Sequence, residues 1–128
     1  MILFDIPLVL PALPAVAGEV PDAPMLAAAL WTAVIEVPLF ALCGYRGARE
    51  LALFAGVNVV SNLLLNGFLA AAELPWGAAV AAGEAGVLLL EYALCRYFVP
   101  DRGRLFATLL VTNAASCLAG LAVAAWAL

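Results

Sequence analysis

The sequence contains no lysine and no histidine, and only 11% of its 128 residues are charged. A soluble domain carries about a quarter charged residues, so this chain lacks the polar groups needed to cover a water-exposed surface. The sequence also has no serine–lysine pair, no glycine-rich phosphate loop and no metal-type spacing of its three cysteines. We therefore predict no enzyme, no catalytic residue, no cofactor and no nucleic-acid partner.

Hydrophobic residues make up 68% of the chain and are concentrated at residues 25–45, 51–72, 74–99 and 105–128. Each stretch reaches the roughly 20 residues that a helix needs to cross about 30 Å of hydrocarbon. Helices are favoured because backbone polar groups in lipid must be paired within the segment. The sequence predicts an all-α integral membrane protein, in which residues 25–128 form a four-helix transmembrane bundle in contact with the lipid bilayer.

The positive charges of the chain are all arginines, and they lie in two connections between the apolar stretches. These residues are Arg46, Arg49, Arg96, Arg102 and Arg104. The opposite ends of the stretches carry acidic residues and no cation. The positive-inside rule then predicts cytoplasmic arginine-bearing loops and both termini outside, as in a protein of the bacterial inner membrane. The aromatic residues give the same orientation, with Trp31, Trp76 and Trp126 at the outer interface and Tyr45 and Tyr97 at the inner one.

Residues 1–24 allow two interpretations. Their short apolar core and the small residues Ala15 and Ala17 before Gly18 are typical of a cleaved signal peptide. However, Asp5 stands where a signal peptide carries a positive charge. An interfacial segment is the alternative, and both interpretations fit the sequence.

The two halves of the apolar region align with each other when the sequence is shifted by 55 residues. The polar residues that coincide are Glu36 with Glu91, Arg49 with Arg104, Asn58 with Asn113 and Ser61 with Ser116. Polar residues are scarce here, so these matches carry more weight than apolar ones. They predict that two helical hairpins form a parallel repeat with its axis along the membrane normal.

Polar residues inside the apolar stretches fall at helical spacing. Asn58, Asn62 and Asn66 are four residues apart, which places them on one helix face. In each hairpin a glutamate and an asparagine are 22 residues apart with the turn near the midpoint, which predicts equal depth near the bilayer centre and pairing inside the bundle. The candidate ion, proton or polar-core residues are Glu36, Glu84, Glu91, Asn58, Asn62, Asn66, Asn113, Ser61 and Ser116.

Each of these residues also has a structural interpretation. The asparagines and serines are typical of hydrogen bonds between membrane helices, worth about 0.6 kcal/mol per contact. Glu36 and Glu91 fit either a neutral clasp with their asparagines or a functional site, because intramembrane carboxylates are costly. Glu84 lies nearer the outer interface, where it can reach water. Arg96 is expected to extend to the cytoplasmic surface.

The intramembrane glutamates have no lysine or arginine among them, so a proton or a bound cation must supply the missing positive charge. Carboxylate, amide and hydroxyl oxygens suit Na⁺, Ca²⁺, Mg²⁺ or Mn²⁺, and a carboxylate chain equally suits protons. The sequence therefore favours a small cation- or proton-linked transporter or channel, or a subunit of one. The alternative is a non-catalytic membrane scaffold with a structural polar core. Because four helices make a thin bundle, transport favours a homodimer or a larger membrane complex.

Three segments, "IEVPLFALCGYR", "VNVVSNLLLNG" and "LLLEYALCRYF", resemble a family of small multipass bacterial membrane proteins. That family has the order E…GYR…VNxxTNPxLN…ExxxY…N. The likeness extends over residues 34–117, and the sequence departs from it at Ser61 and Leu63, where the pattern has threonine and proline. The family carries no established activity, so the resemblance implies the architecture alone.

The predicted orientation can be tested by single-cysteine labelling on a cysteine-free background. A membrane-impermeant thiol reagent added to intact cells should fail to label positions 48 and 103 and should label them after permeabilisation. Labelling of either position from outside would reverse the orientation.

Overall fold

The computed structural model describes residues 23–126, which form four α-helices and their connections. The helices are α1 (Ala23–Leu42), α2 (Ala48–Ala71), α3 (Trp76–Cys95) and α4 (Leu105–Trp126). The choice between signal peptide and interfacial segment falls almost entirely on residues outside the described part.

Each of the four helices is long and apolar enough to cross a membrane. Large apolar side chains also project from the outer face of every helix, with Val34, Leu64, Leu89 and Leu118 each more than half exposed. Such a surface is unfavourable in water and favourable in lipid. The chain is thus an all-helical polytopic membrane protein whose outer faces contact the bilayer.

The helices form a ring in which α1 and α3 each pack against both α2 and α4. The buried positions of α2 show which face turns inward: Phe54, Asn58, Ser61, Asn62, Leu65 and Asn66. Their spacing of three and four residues is that of one helix face. The polar stripe predicted from the sequence therefore faces the bundle interior, and lipid contacts the apolar residues on the other side.

The end of α1 is set by a glycine. Gly44 has a φ of 111°, in the left-handed region that residues with a Cβ rarely adopt. The amide of Tyr45 donates to the carbonyl of Phe40 at 3.3 Å and the amide of Gly44 to that of Ala41 at 3.1 Å, as in a Schellman cap. The helix consequently ends at Leu42, before the apolar stretch of the sequence does, and the chain turns Tyr45 into the bundle.

A cluster of buried apolar residues closes the interior beside the arginine-bearing loops. We call it the apolar plug, and it consists of Phe40, Tyr45, Phe54, Cys95, Val99, Leu105 and Leu109. The Phe40 ring stacks between Tyr45 and Phe54, with centroid distances of 4.5 and 4.0 Å. Every helix or its adjoining loop contributes to the plug, so it joins the ring of helices at this end.

Tyr45 does not occupy the interface position predicted for it, because its side chain is only 2% exposed. The Gly44 turn directs the ring inward, and the Tyr45 hydroxyl donates to the carbonyl of Asp101 at 2.6 Å. This bond connects the α1–α2 loop to the α3–α4 loop. Tyr97, by contrast, is 73% exposed, as expected of an interfacial residue.

The arginines all lie at the surface of the described chain. Arg96 reaches the Tyr97 hydroxyl at 3.2 Å, and Arg104 forms an ion pair with Asp101 at 2.9 Å. The Arg104 hydrogen bond, with that from the Gly103 amide, lowers the pKa of Asp101. Such exposed pairs contribute little to stability, but they leave no arginine inside the bundle.

At the opposite half of the bundle, α2 and α3 approach closely at Gly83. A Cβ on Gly83 would lie 2.3 Å from Cδ1 of Leu65, so any larger residue at this position would displace the Leu65 side chain. An open groove of about 280 Å³ runs between the two helices beside this contact. It is lined by Ser61, Leu64, Leu65, Phe68, Ala82, Gly83, Gly86, Val87 and Leu90.

The Tyr45→Phe variant should be less stable than the wild type by about 1 kcal/mol, because it removes the hydroxyl that bonds to the Asp101 carbonyl while keeping the stacked ring. Tyr97→Phe is the matched control, and it should change the free energy of unfolding by less than about 0.5 kcal/mol. Denaturant unfolding in detergent micelles measures both. Equal effects of the two variants would show that the connection between the loops does not stabilise the fold.

Candidate functional site

The interior between the helices is rich in buried polar side chains. Those less than a tenth exposed are Thr32, Glu36, Asn58, Ser61, Asn62, Asn66, Glu91, Thr108, Thr112, Asn113 and Ser116. All four helices contribute to this set. Buried polar groups are costly unless they are hydrogen-bonded, so their partners determine what the interior can do.

Each buried glutamate receives one amide and one hydroxyl. Glu36 Oε2 accepts from Nδ2 of Asn58 at 2.7 Å, and Glu36 Oε1 accepts from the hydroxyl of Ser116 at 2.5 Å. Glu91 Oε2 accepts from Nδ2 of Asn113 at 2.7 Å, and Glu91 Oε1 from the hydroxyl of Ser61 at 2.7 Å. The two glutamate–asparagine pairs are those that the 22-residue spacing predicts.

The serines connect the two pairs. Ser61 is on α2 and bonds to Glu91 on α3, whereas Ser116 is on α4 and bonds to Glu36 on α1. Asn58 adds a further connection, because its Nδ2 lies 3.4 Å from Glu91 Oε1 as well as 2.7 Å from Glu36 Oε2. One amide therefore joins both carboxyl groups. We call Glu36, Glu91 and their four partners Asn58, Asn113, Ser61 and Ser116 the carboxyl pair site.

Both serine hydroxyls have a second acceptor within reach. The Ser61 hydroxyl lies 3.0 Å from the carbonyl of Asn58, and that of Ser116 lies 3.0 Å from the carbonyl of Asn113. A hydroxyl has one proton to donate and two lone pairs. Beside a carboxylate, the serine hydroxyl donates its hydrogen bond to the carboxylate. Beside a neutral carboxylic acid, the serine oxygen accepts a hydrogen bond from the acid O–H, and the serine hydroxyl donates to the backbone carbonyl of the asparagine. The site thus has a complete hydrogen-bond scheme in either protonation state.

No fixed positive charge balances these carboxyl groups within the described chain. Every arginine is exposed at the loops, and the sequence has neither lysine nor histidine. Two unbalanced carboxylates that share one donor repel each other, and burial makes the charged form expensive. The arrangement therefore needs a proton or a cation at the pair.

Hydrogen bonds occupy the carboxyl oxygens of the pair. All four oxygens accept from N–H or O–H donors, and an N–H group cannot be a metal ligand. The described residues also contain no cluster of three or more His, Cys, Asp or Glu side chains that could hold a metal ion. A cation would have to displace these donors or turn the amide oxygens inward.

Three of the predicted residues lie outside the carboxyl pair site. Asn62 donates to the carbonyl of Asn58 at 2.8 Å and lies 3.3 Å from its Oδ1, so it touches neither glutamate. Asn66 is 2% exposed, and neither atom of its amide has a partner among the described residues. Glu84 is half-buried on α3 and makes none of these hydrogen bonds.

The sequence does not directly predict that each serine bonds to the glutamate of the other hairpin, although a signal for it exists. In both halves the serine follows the asparagine by three residues, which places the two side chains on one helix face. Thr32 was also missed. It lies one turn before Glu36, is buried, and donates to the carbonyl of Ala28 at 3.1 Å.

The Asn58→Ala variant should lower the free energy of unfolding by about 1–3 kcal/mol, because it leaves a buried carboxyl oxygen of Glu36 without its donor. Asn62→Ala removes a buried asparagine from the same helix face without touching a glutamate, and should cost less. Both can be measured by denaturant unfolding in micelles. If Asn62→Ala is as destabilising as Asn58→Ala, the contact with the glutamates adds nothing to stability.

Comparison with protein-family models, curated proteins and solved structures finds no match to this chain. The case for a function therefore depends on the geometry of the carboxyl pair site and on the membrane-spanning character of its helices.

Proposed function

We propose that the protein is a small proton-linked membrane transporter or channel, or a subunit of one, and that Glu36 and Glu91 bind the proton. One observation carries this proposal. Two buried carboxyl groups share the amide of Asn58, at 2.7 and 3.4 Å, and no fixed positive charge lies with them in the described chain. Intramembrane ionisable groups of this kind typically serve proton relays or ion pathways.

The serine hydroxyls support a proton rather than a cation as the bound species. Ser61 and Ser116 can each reverse their hydrogen bond when the neighbouring carboxyl group gains or loses a proton. Loading and unloading then require only the rotation of two hydroxyls, with no movement of a helix. Such a site can exchange protons at little structural cost.

The proposal includes a parallel repeat of the two hairpins, α1–α2 and α3–α4. It is supported by the matching hydrogen bonds, since Glu36 and Glu91 have equivalent partners in their own hairpin and in the other one. A two-fold pseudo-symmetry axis along the membrane normal would then pass between the two carboxyl groups. We further propose that both termini lie outside a bacterial inner membrane. Because the four-helix bundle is thin, we propose that it assembles into a homodimer or a larger complex.

A structural polar core is the second candidate, and one observation favours it. Every carboxyl oxygen of the pair already accepts a hydrogen bond, so two neutral acids would hold the helices together without binding anything further. A membrane scaffold would need no more than this. The two candidates differ in whether the charge of the glutamates matters.

Glu36→Gln and Glu91→Gln should each reduce proton-linked flux in proteoliposomes at least tenfold, because glutamine keeps the shape and hydrogen bonding of the acid but cannot titrate. The thermal unfolding midpoint of the wild type in detergent should depend on pH, and this dependence should weaken in both variants. Glu73→Gln, at an exposed position in the α2–α3 connection, is the matched control and should behave like the wild type.

The same assay separates protons from metal cations. Na⁺, Ca²⁺, Mg²⁺ or Mn²⁺ at fixed pH should not raise the unfolding midpoint, since a ligand stabilises only the state that binds it. Stabilisation that disappears in the glutamine variants would assign the site to that cation. Wild-type protein without proton flux, together with glutamine variants that match it in stability at every pH, would leave the structural core as the function of these residues.

A further inference from the structure

The two ends of the bundle interior differ in chemistry. Between the carboxyl pair site and the arginine-bearing loops lies the apolar plug, whose members are at most 5% exposed. Toward the other end the interior contains Thr32, Asn62 and Asn66, together with the small residues Ala28 and Ala29. Water needs several polar partners to occupy a buried position. On the loop side of the pair the buried polar side chains are Thr108 and Thr112 of α4, and the Thr112 hydroxyl already donates to the Leu109 carbonyl at 3.1 Å. The other half offers the side-chain amides of Asn62 and Asn66.

Asn66 is the most unusual residue of that polar half. Its side chain is 98% buried, yet neither its amide nitrogen nor its oxygen has a partner among the described residues. A buried amide normally satisfies most of its hydrogen-bonding capacity, and an exception calls for a ligand or a water molecule. Asn66 lies one helical turn beyond Asn62, which bonds to Asn58 and through it reaches both glutamates. The unsatisfied amide therefore lies at the next position of the asparagine stripe, one turn beyond the hydrogen bonds that lead to the pair.

We propose that Asn66 binds water inside the bundle, and that this water provides the route by which the carboxyl pair site exchanges protons with the end of the bundle distant from the arginine-bearing loops. This inference rests on the proposed function of the pair. A proton arrives on water as hydronium, an O–H bond forms at a carboxylate oxygen, and the hydronium O–H bond breaks to leave neutral water. Asn66 and Asn62 orient the water and do not themselves carry the proton.

The apolar plug makes this exchange one-sided. Phe40, Phe54, Leu105 and Leu109 are fully buried, and the hydroxyl of Tyr45 is already bonded to the Asp101 carbonyl. The plug residues themselves therefore offer water no free hydroxyl or amide. Of the two buried threonines of α4 at this depth, Thr108 and Thr112, the second already donates to the Leu109 carbonyl. Besides the pair itself, the titratable side chains within the helices are Arg49 and Glu50 at the loop end of α2, Glu84, Tyr92 and Cys95 on α3, and Cys117 on α4. Of these only Cys95 is fully buried, and neither α1 nor α2 adds a titratable side chain to the buried face. Glu84 is half-buried in the polar half, where it can meet the entering water.

The test is the rate at which the buried carboxylic acids exchange hydrogen for deuterium. Wild-type protein in lipid nanodiscs is mixed with D₂O, and the infrared carbonyl band of the protonated glutamates is followed in time. The Glu36→Gln and Glu91→Gln variants assign this band. Asn66→Leu, similar in size but apolar, should slow the exchange at least tenfold, whereas Asn66→Ser, which keeps a polar group, should stay within threefold of the wild type.

A second measurement does not depend on the folding of any Asn66 variant. Protein with a single cysteine at position 48 on the cysteine-free background, and with Asn66 unchanged, is reconstituted in vesicles; its orientation is assigned by labelling, and the pH is changed on one side only. The band should respond to pH at the end distant from the arginine-bearing loops and not to pH at the loops. Phe40→Ala, which shortens a plug residue, should make it respond to both.

The outcomes distinguish this inference from the proposed function. If the band depends on pH but Asn66→Leu exchanges as fast as the wild type, or if the band responds equally to both sides, one-sided access through Asn66 is wrong and the proton site stands. If no protonated band is lost in either glutamine variant, the proton site itself is wrong, and the inference falls with it.

Discussion

The amide of Asn58 is the contact on which the interior of this protein depends, because it brings two carboxyl groups from different helices to one donor. In water such a contact would be weak. Inside a bundle surrounded by lipid, no solvent replaces it, and the low dielectric strengthens both the hydrogen bonds and the repulsion between the carboxyl groups. The remaining partners, two serines and a second asparagine, are arranged so that every carboxyl oxygen is satisfied. The hydrogen bonds thus fix the geometry of the site, and they are compatible with either protonation state of the two glutamates.

That combination explains the unusual composition of the chain. The outer faces of the helices can be apolar because lipid contacts them. The arginines remain at the loops, since the buried carboxyl groups accept hydrogen bonds from amides and hydroxyls. The buried polar side chains lie on the inward faces of all four helices. A positive residue among them would form a permanent ion pair with the glutamates. No such residue lies there in the described chain, and under the proposed function this leaves the pair able to bind and release a proton.

The sequence predicted the four membrane-spanning helices and the two glutamate–asparagine pairs, because both depend on local periodicity. Apolar length predicts the four helices, and a spacing of 22 residues around a short turn brings Glu36 level with Asn58 and Glu91 level with Asn113. The features that the sequence could not predict depend on how separate helices and loops pack against each other. The crossing of Ser61 and Ser116 requires the relative position of two hairpins, and the burial of Tyr45 requires the left-handed turn at Gly44. For Asn66 the spacing indicates the correct face, but only the packed bundle reveals that its amide has no partner in the described chain.

The bond between Tyr45 and the Asp101 carbonyl joins the two loops at one end of the molecule, and the stacked rings of the plug lie directly beside it. At the other half, α2 and α3 meet through Gly83 and an open groove of about 280 Å³. The two ends are therefore held together by different contacts. A hydrogen bond between loops and a stack of aromatic rings join the arginine-bearing end, whereas a close approach of helices over a glycine joins the other. The groove beside that glycine is open and lined mainly by apolar residues, so in a bilayer it is lipid acyl chains that contact it.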